Sequence, residues 1–259
     1  MTDLVLTHRD GPIATVVLNR PEKLNAMSKP MWRQLGETML ALAAEPDLRC
    51  IVIRGAGGKA FSPGNDIGEF ESVRSTPEQA KAYGDDLYLA LNAVKEMPCP
   101  TVALIEGICV GGGLELAALC DLRICGESSR FGVPIKRLGL VMAYPEIEGL
   151  LALVGRAATL EILLEGRVFG AAEAKEKGLV TRVVPDGEVE AEAMAAARRI
   201  AEGAPLVARW HKKFVNRLSR PEPLSAAELD EGYACYATED FQIGYRSFLE
   251  KKPPVFKGR

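Results

Sequence analysis

Histidine is nearly missing from this chain. Its 259 residues hold two, His8 and His211, which leaves a Ser-His-Asp triad little to build from. His211, set between Trp210 and Lys212, reads as a surface or packing residue. The six cysteines (Cys50, Cys99, Cys109, Cys120, Cys125 and Cys235) form no Cys-x-x-Cys pair, and no His or Cys group has metal-ligand spacing. Most sit among apolar neighbours, the pattern of buried thiols in a reducing compartment. No apolar run approaches the roughly 20 residues of a bilayer span, no secretion leader is visible at the N-terminus, and no Gly-Lys-Ser/Thr phosphate loop exists. Excess charge is lacking too: 32 basic residues face 35 acidic ones for a formal net charge of -3. That balance argues against a nucleic-acid surface as the main business of the chain. A cytoplasmic protein with no metal, no membrane contact and no nucleic-acid partner is expected.

What is present is an ordinary soluble composition, 47% hydrophobic and 26% charged, on a chain long enough to bury about 75% of its unfolded surface. Short β-branched or apolar runs at 13–18, 50–54, 101–105, 121–124 and 181–184 read as strands. Helical candidates lie between them at 30–44, 77–95, 112–119, 156–165 and 171–177. Alternation of this kind predicts an α/β class with strands buried under helices. After about residue 187 only amphipathic helices follow, at 188–202, 205–218, 225–238 and 239–250. The division predicted is therefore an α/β core over 1–187 and a helical lid or assembly region over 188–259.

Two glycine-bearing turns stand out, Phe61-Ser62-Pro63-Gly64-Asn65-Asp66 and Val110-Gly111-Gly112-Gly113-Leu114-Glu115. Each follows a run that reads as a strand and opens onto a segment that reads as helix. Glycine lets backbone N–H groups approach a ligand with no side chain in the way. Two such turns at one site can aim two N–H groups at a single oxygen, which is how a backbone stabilises the charge of a thioester turning into an enolate. A triple glycine is also a common close-packed helix start. The dinucleotide fingerprint fails, because Leu116 stands where its third glycine belongs. Glu115, a carboxylate in an apolar stretch of the first helical turn, is either a first-turn acid favoured by the helix dipole or a reactive group. Asp66 reads as the cap of the following helix.

Four segments in order resemble the enoyl-CoA hydratase/isomerase, or crotonase, superfamily: Leu18-Asn19-Arg20-Pro21-Glu22-Lys23-Leu24-Asn25-Ala26, the stretch from Ala60 to Ile67, the stretch from Glu106 to Leu116, and the ending Phe248-Leu249-Glu250-Lys251-Lys252-Pro253. The resemblance spans essentially the whole chain. It implies a spiral of strand-strand-helix repeats with a C-terminal helical region, a homotrimer or dimer of trimers, and an acyl-CoA thioester as substrate with no separate cofactor. It also implies that the oxyanion donors are the N–H groups of Asn65 and Gly112 and that Glu115 is one of two catalytic glutamates. Coenzyme A would be held by Lys23, Leu24 and Ala26, by Gly64, Asp66 and Ile67 around the first turn, and by Phe248 and Lys251, often from a neighbouring subunit.

One departure bears on the reaction. The typical hydratases carry their second glutamate just after the proline of Phe131-Gly132-Val133-Pro134, and this chain has Ile135 there. An isoleucine passes no proton, so neither the two-carboxylate hydration nor the usual isomerase base is intact. Tyr144, Glu146 or Glu148 can take over proton transfer if the fold brings them to the acyl pocket. The alternative is that the two glutamates are solvated first-turn residues and Tyr144 packs on the core, or that Tyr144 and Met142 only shape the pocket. Hydration of a 2-enoyl-CoA with Glu115 as acid/base is the first expectation. Decarboxylation of a malonyl-type CoA follows, because Ile135 removes a charge that would repel an anionic substrate. Double-bond isomerisation comes third, and a silent acyl-CoA-binding relative is the reading from another class.

Overall fold

The strand runs pair in the order that alternation with helices demands. The computed structural model describes residues 3–259. Its elements begin with β1 (Val5–Asp10), β2 (Ile13–Leu18), α1 (Lys29–Ala43), β3 (Cys50–Gly55), β4 (Ala60–Ser62), α2 (Phe70–Val73) and α3 (Pro77–Lys95). They continue with β5 (Thr101–Ile105), β6 (Ile108–Val110), α4 (Gly112–Ala118), β7 (Leu122–Gly126), β8 (Arg130–Gly132), α5 (Tyr144–Glu165), β9 (Val168–Gly170), α6 (Ala171–Glu176) and β10 (Arg182–Val184). The last four helices are α7 (Val189–Ala201), α8 (Pro205–Leu218), α9 (Ala226–Glu231) and α10 (Glu239–Glu250).

Two sheets result. One runs β1-β2-β3-β5-β7-β10, parallel except for the β1–β2 hairpin, and the other runs β4-β6-β8-β9 with only β9 antiparallel. Successive units of one strand from each sheet plus a helix (β3-β4-α2/α3, β5-β6-α4, β7-β8-α5) climb as a spiral, as the family resemblance implies. The inner strands β3 and β5 of the larger sheet are apolar on both faces because both are covered. In β3, Ile51 and Ile53 join the core beneath α1 and α3, while Cys50 and Val52 face Val189, Ala193 and Ala197 of α7. Met31, Trp32, Leu35, Met39 and Leu42 recur at helical spacing and give α1 one buried face, packed with Leu87, Leu91 and Val94 of α3.

Several elements differ from expectation. Val5–Asp10 is a strand at an edge, exposed over most of its length, so its residues carry no apolar signal. Helix α5 starts at Tyr144, twelve residues before the expected Arg156, and bends at Gly155 (φ 71°). The segment expected as one helix over 225–238 breaks into α9 and a short turn at Ala234–Ala237. Helix α8 is tied to the core by Lys212, whose Nζ lies 2.8 Å from Asp121 Oδ2.

Asn25 binds the loop after β2 to the second sheet. It sits fully buried in the left-handed region (φ 64°). Its Nδ2 donates to Ala56 O at 2.9 Å and Ala60 O at 2.8 Å, and its Oδ1 accepts from Arg20 N at 3.1 Å. Its own carbonyl accepts from Ser62 Oγ at 2.8 Å. Asn25→Ala leaves two buried carbonyls and one N–H without these partners and is expected to cost about 2–4 kcal/mol. Urea denaturation checks it, and a loss below about 1 kcal/mol would mean that the loop is held by other contacts.

Candidate active site

Strands β4 and β6 are parallel neighbours, with Ser62 opposite Cys109. The two glycine turns leave from their carboxyl ends, so they emerge side by side at the edge where parallel sheets expose backbone to ligands. The apposition is tight. A Cβ on Gly64, whose φ is +96°, would lie 2.8 Å from the Gly112 nitrogen, and one on Gly113 would lie 2.2 Å from Ser62 O. Around Asn65 the chain is pinned by Met27 N donating to Gly64 O and Asp66 N donating to Met27 O, at 2.8 and 2.9 Å. The Asn65 N–H itself donates to no protein acceptor among the described residues. Gly112 is the first residue of α4, where the helix leaves N–H groups without intrahelical partners.

Side chains behind the turns hold them in place. Trp32 Nε1 donates to Asn65 Oδ1 at 2.7 Å, and Tyr83 OH lies 3.2 Å from the same oxygen. The Trp32 ring also backs the second turn, 3.1 Å from where a Gly112 Cβ would stand. One buried indole thus supports both loops.

The residues expected to hold coenzyme A near the first turn are brought together. Arg20 donates through Nη1 to Ala26 O and through Nη2 to Asp66 Oδ2, the latter at 2.9 Å. Lys23 and Leu24 are exposed beside Ala26, and Ile67 is exposed on the other side. Asp66 caps the following turn by accepting from Gly68 N, as expected, and its hydrogen bond with Arg20 holds its carboxyl below the usual range.

The carboxylates depart from expectation. Glu115, one turn into α4, is only 6% exposed, and its Oε2 is fully buried with no hydrogen-bond partner. Burial first, and the neighbouring Glu146 second, push its pKa up to about 8, against the pull of Arg74. Glu146 is a first-turn residue of α5 but is not solvated. It is 6% exposed, its Oε2 accepts from Ala143 N at 2.6 Å, and its Oε1 lies 3.9 Å from Arg74 Nη2. Burial raises its pKa as well, opposed by the Ala143 N–H and by Arg74. The expectation of a solvated Glu146 is therefore corrected: the first part of α5 packs on α4, with Gly149 against Leu119, and the Glu146 carboxyl is buried there. Glu148 is the solvated one, paired with Lys95 at 2.8 Å.

Tyr144, Ile135, Phe248 and Lys251 complete the expected positions. Tyr144 is 93% exposed, so it neither enters an acyl pocket nor packs on the core. Ile135 lies in the Pro134–Leu138 turn, half-buried against the main core. Phe248, 83% exposed, and Lys251 lie at the end of α10, which packs on the Ala234–Ala237 turn and the C-terminal tail and not on the glycine turns. Trp32, Tyr83 and Arg74 went unnoticed as site residues. Trp32 reads only as part of an apolar helix face, and Arg74 has no motif around it.

Comparison with known proteins bears on the family and the fold. A family model described as enoyl-CoA hydratase/isomerase matches residues 8–259. A Mycobacterium bovis protein named "probable enoyl-CoA hydratase echA8" is 34% identical over 99% of this chain and 99% of its own. The crystal structure of an enoyl-CoA hydratase/carnithine racemase from Magnetospirillum magneticum is 49% identical, covers 100% of this chain and 97% of its own, and superposes with a TM-score of 0.98. That of enoyl-CoA hydratase from Bacillus anthracis is 29% identical over 99% of this chain and 100% of its own, with a TM-score of 0.91.

The Glu115 carboxyl also imposes a pH dependence on stability. Its folded pKa of about 8 lies above the ordinary 4.5, so the native state holds a proton that the unfolded chain releases. The stabilisation is complete below about pH 4.5 and declines as pH rises through about 8, at up to ~1.4 kcal/mol per pH unit. Glu115→Gln abolishes that decline. Thermal denaturation should find the variant more stable than the parent at pH 9, with the gap closing at pH 5; a gap independent of pH contradicts the assignment.

Proposed function

This chain belongs to the enoyl-CoA hydratase/isomerase family, and we propose that it adds water across the double bond of a 2-enoyl-CoA. The thioester oxygen takes hydrogen bonds from the Asn65 and Gly112 N–H groups, which lower the energy of the enolate as it forms. Water attacks the β carbon and gives its proton to the Glu146 carboxylate, the member of the pair that the Ala143 N–H and Arg74 favour as an anion. Glu115, kept protonated by burial, delivers its proton to the α carbon. Water's hydroxyl ends on one carbon and a proton on the other, and the proton on Glu146 returns to Glu115. No further cofactor is needed for this balance.

The observation that carries the reading is the buried Glu115–Glu146 pair one helical turn from Gly112. It supplies a second carboxylate although Ile135 does not. Environments that separate the proton affinities of two acids are what acid/base division of labour requires.

Coenzyme A is proposed to run over Lys23, Leu24, Ala26, Gly64, Asp66 and Ile67. Phe248 and Lys251 are proposed to clasp it from a neighbouring copy in a homotrimer or dimer of trimers, consistent with the exposure of Phe248. The lid or assembly role proposed for 188–259 falls to its part beyond α7, since α7 itself covers the larger sheet. The location proposed is cytoplasmic; no helix among the described residues is long and apolar enough to cross a membrane. Decarboxylation of a malonyl-type CoA is the second reading, favoured by the uncharged Ile135.

Incubation with crotonyl-CoA and with methylmalonyl-CoA, following loss of the enoyl thioester and release of carbon dioxide, separates the two. Hydration is expected, with Glu115→Gln and Glu146→Gln each lowering kcat by about 10²-fold or more while binding changes little. The kcat/KM of the parent should fall as pH rises through about 8, where the pair loses the proton it must donate. Full activity in Glu146→Gln, or carbon dioxide release without hydration, overturns the proposal, and thioester binding without either reaction identifies a silent relative.

A further inference from the structure

Arg74 stands at the C-terminal end of α2, and its guanidinium is held between two rings, 5.2 Å from the Phe70 centroid and 4.8 Å from the Tyr83 centroid. Its side chain is 13% exposed. Its Nη1 is fully buried with no hydrogen-bond partner, and its closest carboxylate oxygen, Glu146 Oε1, lies 3.9 Å from Nη2, beyond hydrogen-bonding reach. A buried arginine without a fully engaged partner is costly, since the desolvation of its donors goes uncompensated.

The position of this group is informative. Tyr83, whose ring supports Arg74, presents its hydroxyl 3.2 Å from Asn65 Oδ1, so Arg74 is one side chain away from the first oxyanion turn. Glu115 and Glu146 both sense its charge. Arg74 Nη1 and Glu115 Oε2 are thus a donor and an acceptor each buried without a hydrogen-bond partner, with Glu146 Oε1 3.9 Å from the same guanidinium. The rigid fork of an arginine matches a carboxylate better than it matches anything else an acyl chain can offer.

We propose that Arg74 receives a carboxylate carried at the far end of the acyl group, so that the substrate is a coenzyme A monothioester of a short dicarboxylic acid. This rests on the acyl-CoA reading above and specifies its substrate class. The carboxylate pairs with the guanidinium, which has no hydrogen-bonded carboxylate of its own, and leaves the Glu115–Glu146 pair free for water. It also fixes how deeply the acyl chain enters, which places the α and β carbons beside the two acids.

The test uses matched thioesters that differ by one carboxylate and do not react, glutaryl-CoA against butyryl-CoA, with binding followed by calorimetry on the full chain. Glutaryl-CoA is expected to bind at least about tenfold tighter, and that preference to collapse to near one in Arg74→Met while Arg74→Lys keeps part of it. The reactive pair, glutaconyl-CoA against crotonyl-CoA, should show the same preference in kcat/KM. Equal or tighter binding of butyryl-CoA overturns the role of Arg74 and leaves the acyl-CoA reading intact; it would mean that Arg74 only balances Glu146. Failure of both thioesters to bind overturns the acyl-CoA reading and this proposal together.

Discussion

The parallel pairing of β4 with β6 is the constraint from which the rest follows. Because these two short strands are parallel neighbours, paired across an irregular register with Ser62 opposite Cys109, the chain segments that leave them run alongside one another. The contact is so close that side chains larger than hydrogen are excluded at Gly64 and Gly113. Each turn alone is a commonplace strand-to-helix connection. Their adjacency is what the proposed pair of backbone donors to one oxygen requires, and Trp32 with Tyr83 holds the first turn from behind. Preorganised donors need not be reordered as charge develops, which is where their catalytic value comes from.

The chamber in front of the turns is costly to the fold. Two buried acids and an arginine without a hydrogen-bonded partner occupy a volume that apolar residues would fill with less penalty. Glu115 retains its proton because an ionised group there would have neither water nor a donor. The same burial weakens the fold at high pH and, in the proposed hydration, keeps a proton ready for the α carbon. Glu146 has a second duty, since its carboxylate also takes the Ala143 N–H at the start of α5. In the proposed hydration, structural and chemical roles are joined in this one residue, which would stand in for the acid missing at Ile135.

Much of this was legible in the amino-acid order. Strands such as Ile13–Leu18 and Thr101–Ile105 and helices such as Pro77–Lys95 and Pro205–Leu218 lie within their expected limits, because long periodic runs with clear Gly and Pro punctuation leave few alternatives. The glycine turns and Glu115 could be found because their chemistry is written in adjacent residues. The partner of Glu115 could not. Glu146 lies 31 residues further on, at a helix start where acids are ordinarily solvated, and only the approach of α5 to α4 buries it. Tyr144, two residues away, faces outward for the same helical reason. Arg74 had no local signal at all, because its meaning lies in two aromatic rings and two acids supplied by other segments. The edge strand Val5–Asp10 escaped notice because strands that are mostly exposed lack the apolar run by which buried ones are recognised.

The central claim is that a bound thioester carbonyl lies between the Asn65 and Gly112 amides. Difference Raman spectroscopy of a 2-enoyl-CoA labelled with carbon-13 at the thioester carbonyl reads that bond directly. Two donors aimed at the oxygen polarise the carbonyl, so its stretching band should move to lower wavenumber on binding than in water. A bound ligand whose carbonyl band stays at its aqueous position would contradict the account.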